Sequence, residues 1–188
     1  MSFELYLARH GETEWSLSGR HTGTTDIPLT ARGEQNARDL GTKLASIHFD
    51  AVYSSPMQRA LRTAQLAGFD HPEVTPLLRE FDYGRFEGLT SAQILQESPG
   101  WELYRDGCPE GESPAQVYSR AQRFIELATR RGDGRALAFG HGHILRALAV
   151  AWIGARITVA TNLQLDVATL NILRDADHGR VIALWNAS

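Results

Sequence analysis

The sequence has a single cysteine, no long hydrophobic run and little net charge, and each of these absences excludes a class of protein. Cys108 cannot form an intrachain disulfide, so we expect a reducing, cytoplasmic setting. The longest apolar candidate segment, 144–157, is interrupted by Arg146 and Arg156, which excludes a membrane span. The first residues show no basic start followed by a long apolar run, so no signal peptide is expected.

The charges of the chain nearly balance. Nineteen Lys and Arg residues stand against 22 Asp and Glu residues, for a net charge of −3. A protein that binds the nucleic-acid backbone without specificity usually has a basic excess, so we expect no nucleic-acid partner. With 43% hydrophobic and 22% charged residues among 188, the composition is that of an ordinary globular protein, and we expect 1–188 to form one domain.

Patterns typical of strands and helices alternate along the chain. Apolar alternation predicts a first strand over 3–8, and apolar residues three and four apart predict an amphipathic helix over 29–47. The remaining predicted elements are helices at 91–96, 113–131, 144–153 and after a serine cap and proline at 54–56, and strands at 51–53, 73–78, 136–139, 168–173 and 181–185. This order predicts an α/β fold, a three-layer α/β/α sandwich whose mostly parallel, mixed sheet has an antiparallel edge.

Polar residues follow three of the predicted strands. Arg9 and His10 follow the first strand, Ser54 and Ser55 follow the second, and His141 follows the buried strand at 136–139. Because ligands bind at the carboxyl edge of open α/β sheets, we expect these side chains to lie together. The chain has no P-loop, GxGxxG, GxSxG, HExxH or CxxC pattern. The sequence therefore lacks the main motifs that would indicate a nucleotide-binding protein, a serine hydrolase or a zinc protease.

Four sequence blocks occur in an order that indicates a family. They are RHG at 9–11, SPMQRALRTA at 55–64, LREFDYGRFEGL at 78–89 and GHGH at 140–143. With these blocks the chain resembles the histidine phosphatase superfamily, also called phosphoglycerate-mutase-like. Together with HTG at 21–23, they are most similar to the branch of broad-specificity acid phosphatases and yeast-type sedoheptulose 1,7-bisphosphatases. The resemblance implies hydrolysis of phosphomonoesters of small metabolites, sugar bisphosphates among them, without a cofactor or metal.

The catalytic residues implied by this resemblance suit phosphoryl transfer chemically. Two guanidinium groups, Arg9 and Arg59, can each give paired hydrogen bonds to a phosphate, which lysine cannot do. A neutral imidazole can attack phosphorus to form a phosphohistidine, the role assigned to His10. A carboxyl group beside a bound dianion favours its acid form and can protonate the leaving oxygen, a role that the resemblance gives to Glu80. His141 would stabilise charge on the transferring phosphoryl group.

Five further residues are expected to contact the substrate: Ser16, Thr22, Gly23, Tyr83 and Gly142. Mutases of the family commonly have asparagine where this chain has Ser16, so any phosphate contact there is made by a hydroxyl instead of an amide. The contacts of Thr22 and Gly23 rest on the resemblance alone. A small phosphorylated metabolite is therefore the expected partner, and the sequence does not predict an oligomeric state.

Three alternatives stay open at this point. The first is a mutase that depends on 2,3-bisphosphoglycerate, although mutases of this family are typically longer than this chain. The second is a phosphate-binding module without catalysis. The third is a zinc centre formed by His10, His141 and His143. The segment 88–114 is expected to cover the active site and to influence specificity.

The remaining polar candidates are interpreted as structural. We expect Arg62 to pair with a carboxylate away from the pocket and Glu87 to support the fold. Four histidines fall in loops or at helix ends and are expected at the surface: His21, His48, His71 and His178.

Overall fold

A computed structural model describes residues 3–130 and 132–188, and within them six strands form one sheet. The strands are β1 Phe3–Arg9, β2 Ala51–Ser54, β3 Glu73–Val74, β4 Gly134–Gly140, β5 Leu170–Ala176 and β6 Gly179–Ala187. Their order is β3-β2-β4-β1-β5-β6. Pairing is parallel from β3 to β1 and antiparallel from β1 to β6. The predicted mixed sheet with an antiparallel edge is confirmed.

Helices cover both faces of this sheet. They are α1 Glu14–Leu17, α2 Ala31–Leu44, α3 Gln58–Leu66, α4 Ser91–Glu97, α5 Leu103–Asp106, α6 Pro114–Thr129 and α7 Gly142–Trp152. Successive side chains of a strand point to opposite faces. Accordingly, Leu5 and Leu7 of β1 join a core with α6 and α7, whereas Tyr6 and Ala8 join a second core with α2 and α3. These two cores confirm the predicted three-layer sandwich.

The carboxyl ends of three parallel strands meet at the centre of the sheet. Arg9 pairs in register with Gly140, and the backbone N–H of His10 donates to the Gly140 carbonyl at 3.0 Å. From the other side of β4, the Ser55 N–H donates to the Phe139 carbonyl at 3.0 Å. The sheet therefore brings the polar residues that follow β1, β2 and β4 to one edge, as the sequence predicts.

Among the predicted element boundaries that differ from the structure, two have a clear physical reason. Helix α3 begins at Gln58 after Met57, which makes no side-chain cap, instead of after a serine cap. The Ser55 hydroxyl accepts the Met57 N–H outside the helix. The predicted strand 73–78 continues only to Val74, because a 3₁₀ helix with proline in its first turn begins at Pro76.

The structure also bears on the predicted end of α6 and on whether a helix could cross a membrane. Helix α6 ends at Thr129, and Arg131, the predicted helix end, lies outside the described residues. Along 3–130 and 132–188, no helix has both the length and the hydrophobicity required to cross a bilayer.

Candidate active site

A pocket of about 250 Å³ opens at the carboxyl edge of the sheet. Seven of the residues predicted from sequence line it: Arg9, His10, Ser16, Thr22, Glu80, Tyr83 and Gly142. The other three do not line it, since Arg59 and His141 are fully buried behind it and Gly23 borders a neighbouring cavity. The pocket is polar because charged residues and ring nitrogens, and few apolar side chains, form its walls.

His10 is held with one ring nitrogen available for reaction. Its Nδ1 lies 2.7 Å from the Gly11 carbonyl, which can only accept, so Nδ1 carries the hydrogen and Nε2 of the neutral ring has a free lone pair. Burial, followed by the charges of Arg59 and Arg9, holds the pKa of His10 well below its usual range. The imidazole is therefore neutral at neutral pH, the form that a nucleophile requires.

The glycine after His10 is required by packing. A Cβ at Gly11 would lie 2.3 Å from the Gly33 carbonyl oxygen in the first turn of α2, well inside contact distance. The Gly11 N–H donates to the Thr63 hydroxyl of α3 at 3.0 Å. Two helices thus fix the backbone beside His10, which accounts for the RHG pattern in physical terms.

Arg9 lines the pocket, and few of its guanidinium donors are bound to protein groups. Its Nη1 donates to the Leu165 carbonyl, whereas its buried Nε has no hydrogen-bond partner within the described residues. A Cβ at Gly142 would lie 3.3 Å from Arg9 Cζ, so the glycine lets the backbone that opens α7 pack against the guanidinium. As a pocket-lining residue, Arg9 can bring positive charge and guanidinium donors to a bound anion.

Arg59 lies beneath the pocket and is tied to protein groups. Its Nη1 donates to the Thr25 carbonyl at 3.0 Å, and its Nη2 donates to the Thr22 and Gly23 carbonyls, both at 3.1 Å. Its Nε donates to His141 Nδ1 at 3.1 Å. Arg59 therefore brings positive charge under the pocket, holds the loop at 22–25 and fixes the orientation of His141.

His141 has a defined tautomer because of Arg59. Since Nδ1 accepts from the guanidinium, Nε2 of the neutral ring carries the hydrogen and donates to Ser55 Oγ at 2.8 Å. Burial, followed by the charge of Arg59, keeps the pKa of His141 well below its usual range. The rings of His10 and His141 are 5.1 Å apart between centroids. His141 thus has an N–H donor close to the nucleophile.

Glu80 is held by the first turn of α7. Its Oε1 accepts from the backbone N–H groups of Phe81 and Ile144, and its Oε2 accepts from that of His143, each at 2.9 Å. The amino end of a helix favours a negative charge, which suits a carboxylate at this position. These bonds aim a single carboxyl group at the pocket that His10 also lines.

A partly buried ion pair between Arg120 and Glu112 positions the segment that carries Glu80. Arg120 donates to the Arg79 carbonyl at 2.6 Å and to the Glu80 carbonyl at 3.2 Å, and its guanidinium also pairs with Glu112 at 2.7 Å. Glu112 in turn accepts from the Asp82 N–H at 3.0 Å. The pair therefore holds the backbone on both sides of Glu80.

A model of the histidine phosphatase superfamily (branch 1) matches residues 5–188 of the chain. The chain belongs to the histidine phosphatase superfamily. The resemblance drawn from the RHG and GHGH blocks is thereby confirmed, and the pocket described above lies where those blocks meet.

Similar proteins support this identification of the histidine phosphatase. An acid phosphatase of Mycobacterium tuberculosis is 42% identical over 171 residues, which cover 89% of this chain and 84% of that protein. The sedoheptulose 1,7-bisphosphatase of Saccharomyces cerevisiae is 33% identical over 186 residues, covering 79% of this chain and 66% of its own length. A solved structure, that of the open reading frame Rv3214 from Mycobacterium tuberculosis, matches with a TM-score of 0.96 and 39% identity over 99% of this chain and 98% of that one.

One pocket residue of this histidine phosphatase lies where the sequence did not predict it. His21, expected at the surface, is only 9% exposed and lines the pocket. Its ring stacks parallel to that of His143 at 5.9 Å, and its Nδ1 donates to the Leu89 carbonyl at 2.9 Å. The sequence feature that could have placed His21 in the pocket is the HTG block at 21–23, of which it is the first residue.

Arg20, His143 and Arg146 are among the pocket residues to which the sequence gives no definite role. His143 shares a 2.5 Å hydrogen bond between its Nδ1 and the Tyr83 hydroxyl, and burial lowers its pKa well below the usual range. Arg20 and Arg146 also line the pocket. Arg146 lies four residues after Gly142 on α7, a helical spacing that places the two on one face.

Several structural expectations for the histidine phosphatase are confirmed. Arg62 pairs with Glu34 at 2.8 Å, outside the pocket. Glu87 accepts from the Gly23 and Thr25 N–H groups and so supports the loop that carries Thr22. Exposed positions are confirmed for three histidines: His48, His71 and His178.

The arrangement of donors does not favour the zinc alternative. Within 3–130 and 132–188, no three or more His, Cys, Asp or Glu side chains are grouped to hold a metal ion. The ring nitrogens of His141 are engaged by Arg59 and Ser55, and a cation beside Arg59 would be repelled.

Proposed function

We propose that the protein is a metal-independent phosphatase that hydrolyses phosphomonoesters of small metabolites through a phosphohistidine at His10. The observation that carries this proposal is the buried, neutral His10, whose Nδ1–H is held by the Gly11 carbonyl so that Nε2 has its lone pair free. Arg9, the preceding residue, lines the same pocket as His10. A phosphate dianion in this pocket would meet both the nucleophile and the guanidinium of Arg9.

In the first step, His10 Nε2 attacks phosphorus and the bond from phosphorus to the ester oxygen breaks. Glu80 acts as the general acid and gives a proton to the leaving oxygen. Arg9 and His141 donate to the phosphoryl oxygens, with a phosphoryl oxygen replacing Ser55 Oγ as the acceptor of the His141 Nε2–H. Arg59 contributes positive charge and holds His141, and the arginines and His141 supply the stabilisation that Mg²⁺ gives in kinases.

In the second step, water attacks the phosphohistidine and passes a proton to the Glu80 carboxylate. The bond between phosphorus and Nε2 breaks, inorganic phosphate leaves, and both residues return to their starting states. Because the same carboxyl group serves as acid and then as base, no further titrating group is needed.

The substrate contacts in this proposal are Ser16, Thr22, Tyr83 and Gly142, all of which line the pocket. Gly23 contributes indirectly, since its N–H is bound to Glu87 and its carbonyl accepts from Arg59. The proposal also treats 1–188 as one catalytic domain with a cytoplasmic location and no nucleic-acid partner, supported by the single cysteine and the balanced charge.

The decisive experiment replaces the nucleophile. His10→Ala is expected to abolish hydrolysis of p-nitrophenyl phosphate, and quenched wild-type enzyme is expected to contain an acid-labile, base-stable phosphoprotein that the variant lacks. His48→Ala is the matched control, because that side chain is 87% exposed and lies outside the pocket. Full activity of His10→Ala would refute the proposal.

Further outcomes separate the alternatives. Isomerisation of 3-phosphoglycerate that is stimulated by 2,3-bisphosphoglycerate and exceeds hydrolysis would identify a mutase. Phosphate binding without turnover would identify a binding module. Loss of activity in EDTA, with recovery on adding zinc, would favour the metal centre.

A further inference from the structure

The hydroxyl of Thr63 is buried outside the pocket and has no part in the reaction proposed above. Thr63 lies on α3, one helical turn after Arg59. Its Oγ takes part in two hydrogen bonds, at 2.7 Å to the Arg59 carbonyl and at 3.0 Å to the Gly11 N–H. Buried polar groups are normally satisfied in this way, but the two groups that Thr63 joins belong to the site itself. One is the backbone of Arg59, and the other is the backbone that follows His10.

The direction of both hydrogen bonds is fixed. A carbonyl can only accept, so the hydroxyl hydrogen of Thr63 goes to Arg59, and a lone pair of Oγ is left for the Gly11 N–H. The first bond is the common one from a helical threonine to the carbonyl four residues earlier. Thr129 of α6 forms the same kind of bond, since its Oγ donates to the Ile125 carbonyl at 2.8 Å. The bond from Gly11 is what Thr63 has in addition, and it ties α3 to the loop after β1.

The backbone of Gly11 determines where the imidazole of His10 points. His10 Nδ1 donates to the Gly11 carbonyl at 2.7 Å, so the direction of that carbonyl sets the direction of the ring. Gly11 is buried, and its Cα packs so closely on the Gly33 carbonyl that a Cβ would not fit. The bond to Thr63 fixes the Gly11 N–H as well. A tilt of the Gly11 backbone would therefore break this bond and turn the ring of the nucleophile.

The other end of the link is the turn of α3 that carries Arg59. The guanidinium of Arg59 donates to His141 Nδ1 at 3.1 Å and so orients the second histidine of the site. The backbone carbonyl of the same residue accepts from Thr63. Two hydrogen bonds through one hydroxyl thus connect the residue that orients His141 with the backbone that orients His10. The two imidazole rings lie 5.1 Å apart between centroids, on either side of this connection along the chain of contacts.

We propose that Thr63 is a positioning residue for phosphoryl transfer. Its hydroxyl holds the Gly11 backbone, and with it the imidazole of His10, at a fixed position relative to α3 and Arg59. The proposal rests on the proposed function, because the position of this ring matters to the reaction only where His10 is the nucleophile. Misplacing a reacting group by about 1 Å can cost on the order of a hundredfold in rate, so the smaller tilt expected without the hydroxyl should cost about tenfold.

The test uses two pairs of proteins that differ in the hydroxyl. The wild type and Thr63→Val have side chains of nearly the same shape, and Thr63→Ser and Thr63→Ala both lack the methyl group. The values of kcat and KM for p-nitrophenyl phosphate are measured for all four, together with the urea midpoint of unfolding. In each pair the member without the hydroxyl is expected to have a kcat about tenfold lower. Its KM should stay within about twofold, because the groups that bind phosphate are unchanged.

A positioning role is separated from a merely structural one by comparing activity with stability. Thr63→Ser loses a buried methyl group and should be less stable than the wild type, yet it should keep most of the wild-type kcat because it keeps the hydroxyl. The kcat should therefore follow the hydroxyl and not the urea midpoint. Thr129→Val is the matched control, because it removes a helical threonine hydroxyl that bonds to the carbonyl four residues earlier, and its kcat should equal that of the wild type.

The outcomes distinguish this proposal from the proposed function. If Thr63→Val and Thr63→Ala each keep the kcat of their partner, or if Thr63→Ser loses as much kcat as Thr63→Ala, the positioning role is overturned and the phosphatase proposal stands. If Thr63→Val does not fold, the pair of Thr63→Ser and Thr63→Ala decides alone. If His10→Ala keeps full activity, or the wild type does not hydrolyse p-nitrophenyl phosphate, the phosphatase proposal fails and the role of Thr63 fails with it.

Discussion

Acid should destabilise this protein through its buried histidines. His10 and His141 are 5% and 0% exposed, and burial together with nearby arginines lowers the pKa of both rings well below the usual 6.5. In the unfolded chain each ring regains its ordinary pKa and takes up a proton as the pH falls below 6.5. The unfolded state then binds more protons than the native state, so the free energy of unfolding falls with decreasing pH.

The size of this effect follows from linkage. For a histidine that stays neutral in the native state, lowering the pH from 6.5 to 5.5 reduces the free energy of unfolding by about 1 kcal/mol. His10 and His141 together account for about 2 kcal/mol, a large part of a typical total of roughly 5–15 kcal/mol. The loss begins below pH 6.5 and ends only at the lowered native pKa of each ring, where the native state also binds the proton.

The assay is urea unfolding of the wild type, His10→Asn, His141→Asn and the double variant at both pH values. Differences in the free energy of unfolding are calculated from the urea midpoints with one common m value, which avoids the error of a long extrapolation to zero urea. Each single variant should lose about 1 kcal/mol of the pH-dependent difference, and the double variant about 2 kcal/mol. His48→Asn, at an exposed position, should retain the full difference.

Only the change with pH matters here, so a variant that is less stable at both pH values is still informative. Carboxylates that titrate in this range contribute equally to all variants and cancel. If His10→Asn and His141→Asn keep the wild-type pH dependence, the two rings are not neutral in the native protein. The tautomer argument for the nucleophile then fails as well.

Two further predictions concern residues outside the pocket. Arg120→Met should lower kcat about tenfold for alkyl phosphates, because Arg120 positions the general acid Glu80. The loss should be smaller for p-nitrophenyl phosphate, because its leaving group needs little protonation. Equal losses on both substrates would show that Arg120 has a merely structural role. Burial raises the pKa of the Cys108 thiol to about 12, so a thiol reagent at pH 8 should modify it only after denaturation. Rapid modification of the native protein would contradict its burial.

The positions of the main site residues follow from local sequence. Arg9, His10 and His141 come directly after apolar runs that predict strands, and parallel strands place their carboxyl ends on one edge. The glycines beside these histidines could also be interpreted from sequence, since the backbone must approach closely there. Fold class and the location of the site were therefore predictable.

Contacts between distant segments could not be predicted in the same way. The burial of His21 depends on Leu89, 68 residues away, and no local periodicity reports that contact. The hydrogen bonds from Arg120 to the backbone beside Glu80 span about 40 residues. For Arg59 the residue type predicts a charge near phosphate, but not that its donors are used by the carbonyls of a loop.

The position of Glu80 has a consequence for redesign of the enzyme. Its carboxylate accepts from the first-turn N–H groups of α7, the helix whose N-cap residue is His141. The positions of Glu80 and His141 are therefore coupled. The Glu80 carboxylate accepts the first backbone N–H groups of α7, and this helix begins directly after His141. Relocating the acid by a residue in either direction would leave that helix end unsatisfied, so new specificity is better sought on the walls that carry Arg20 and Arg146.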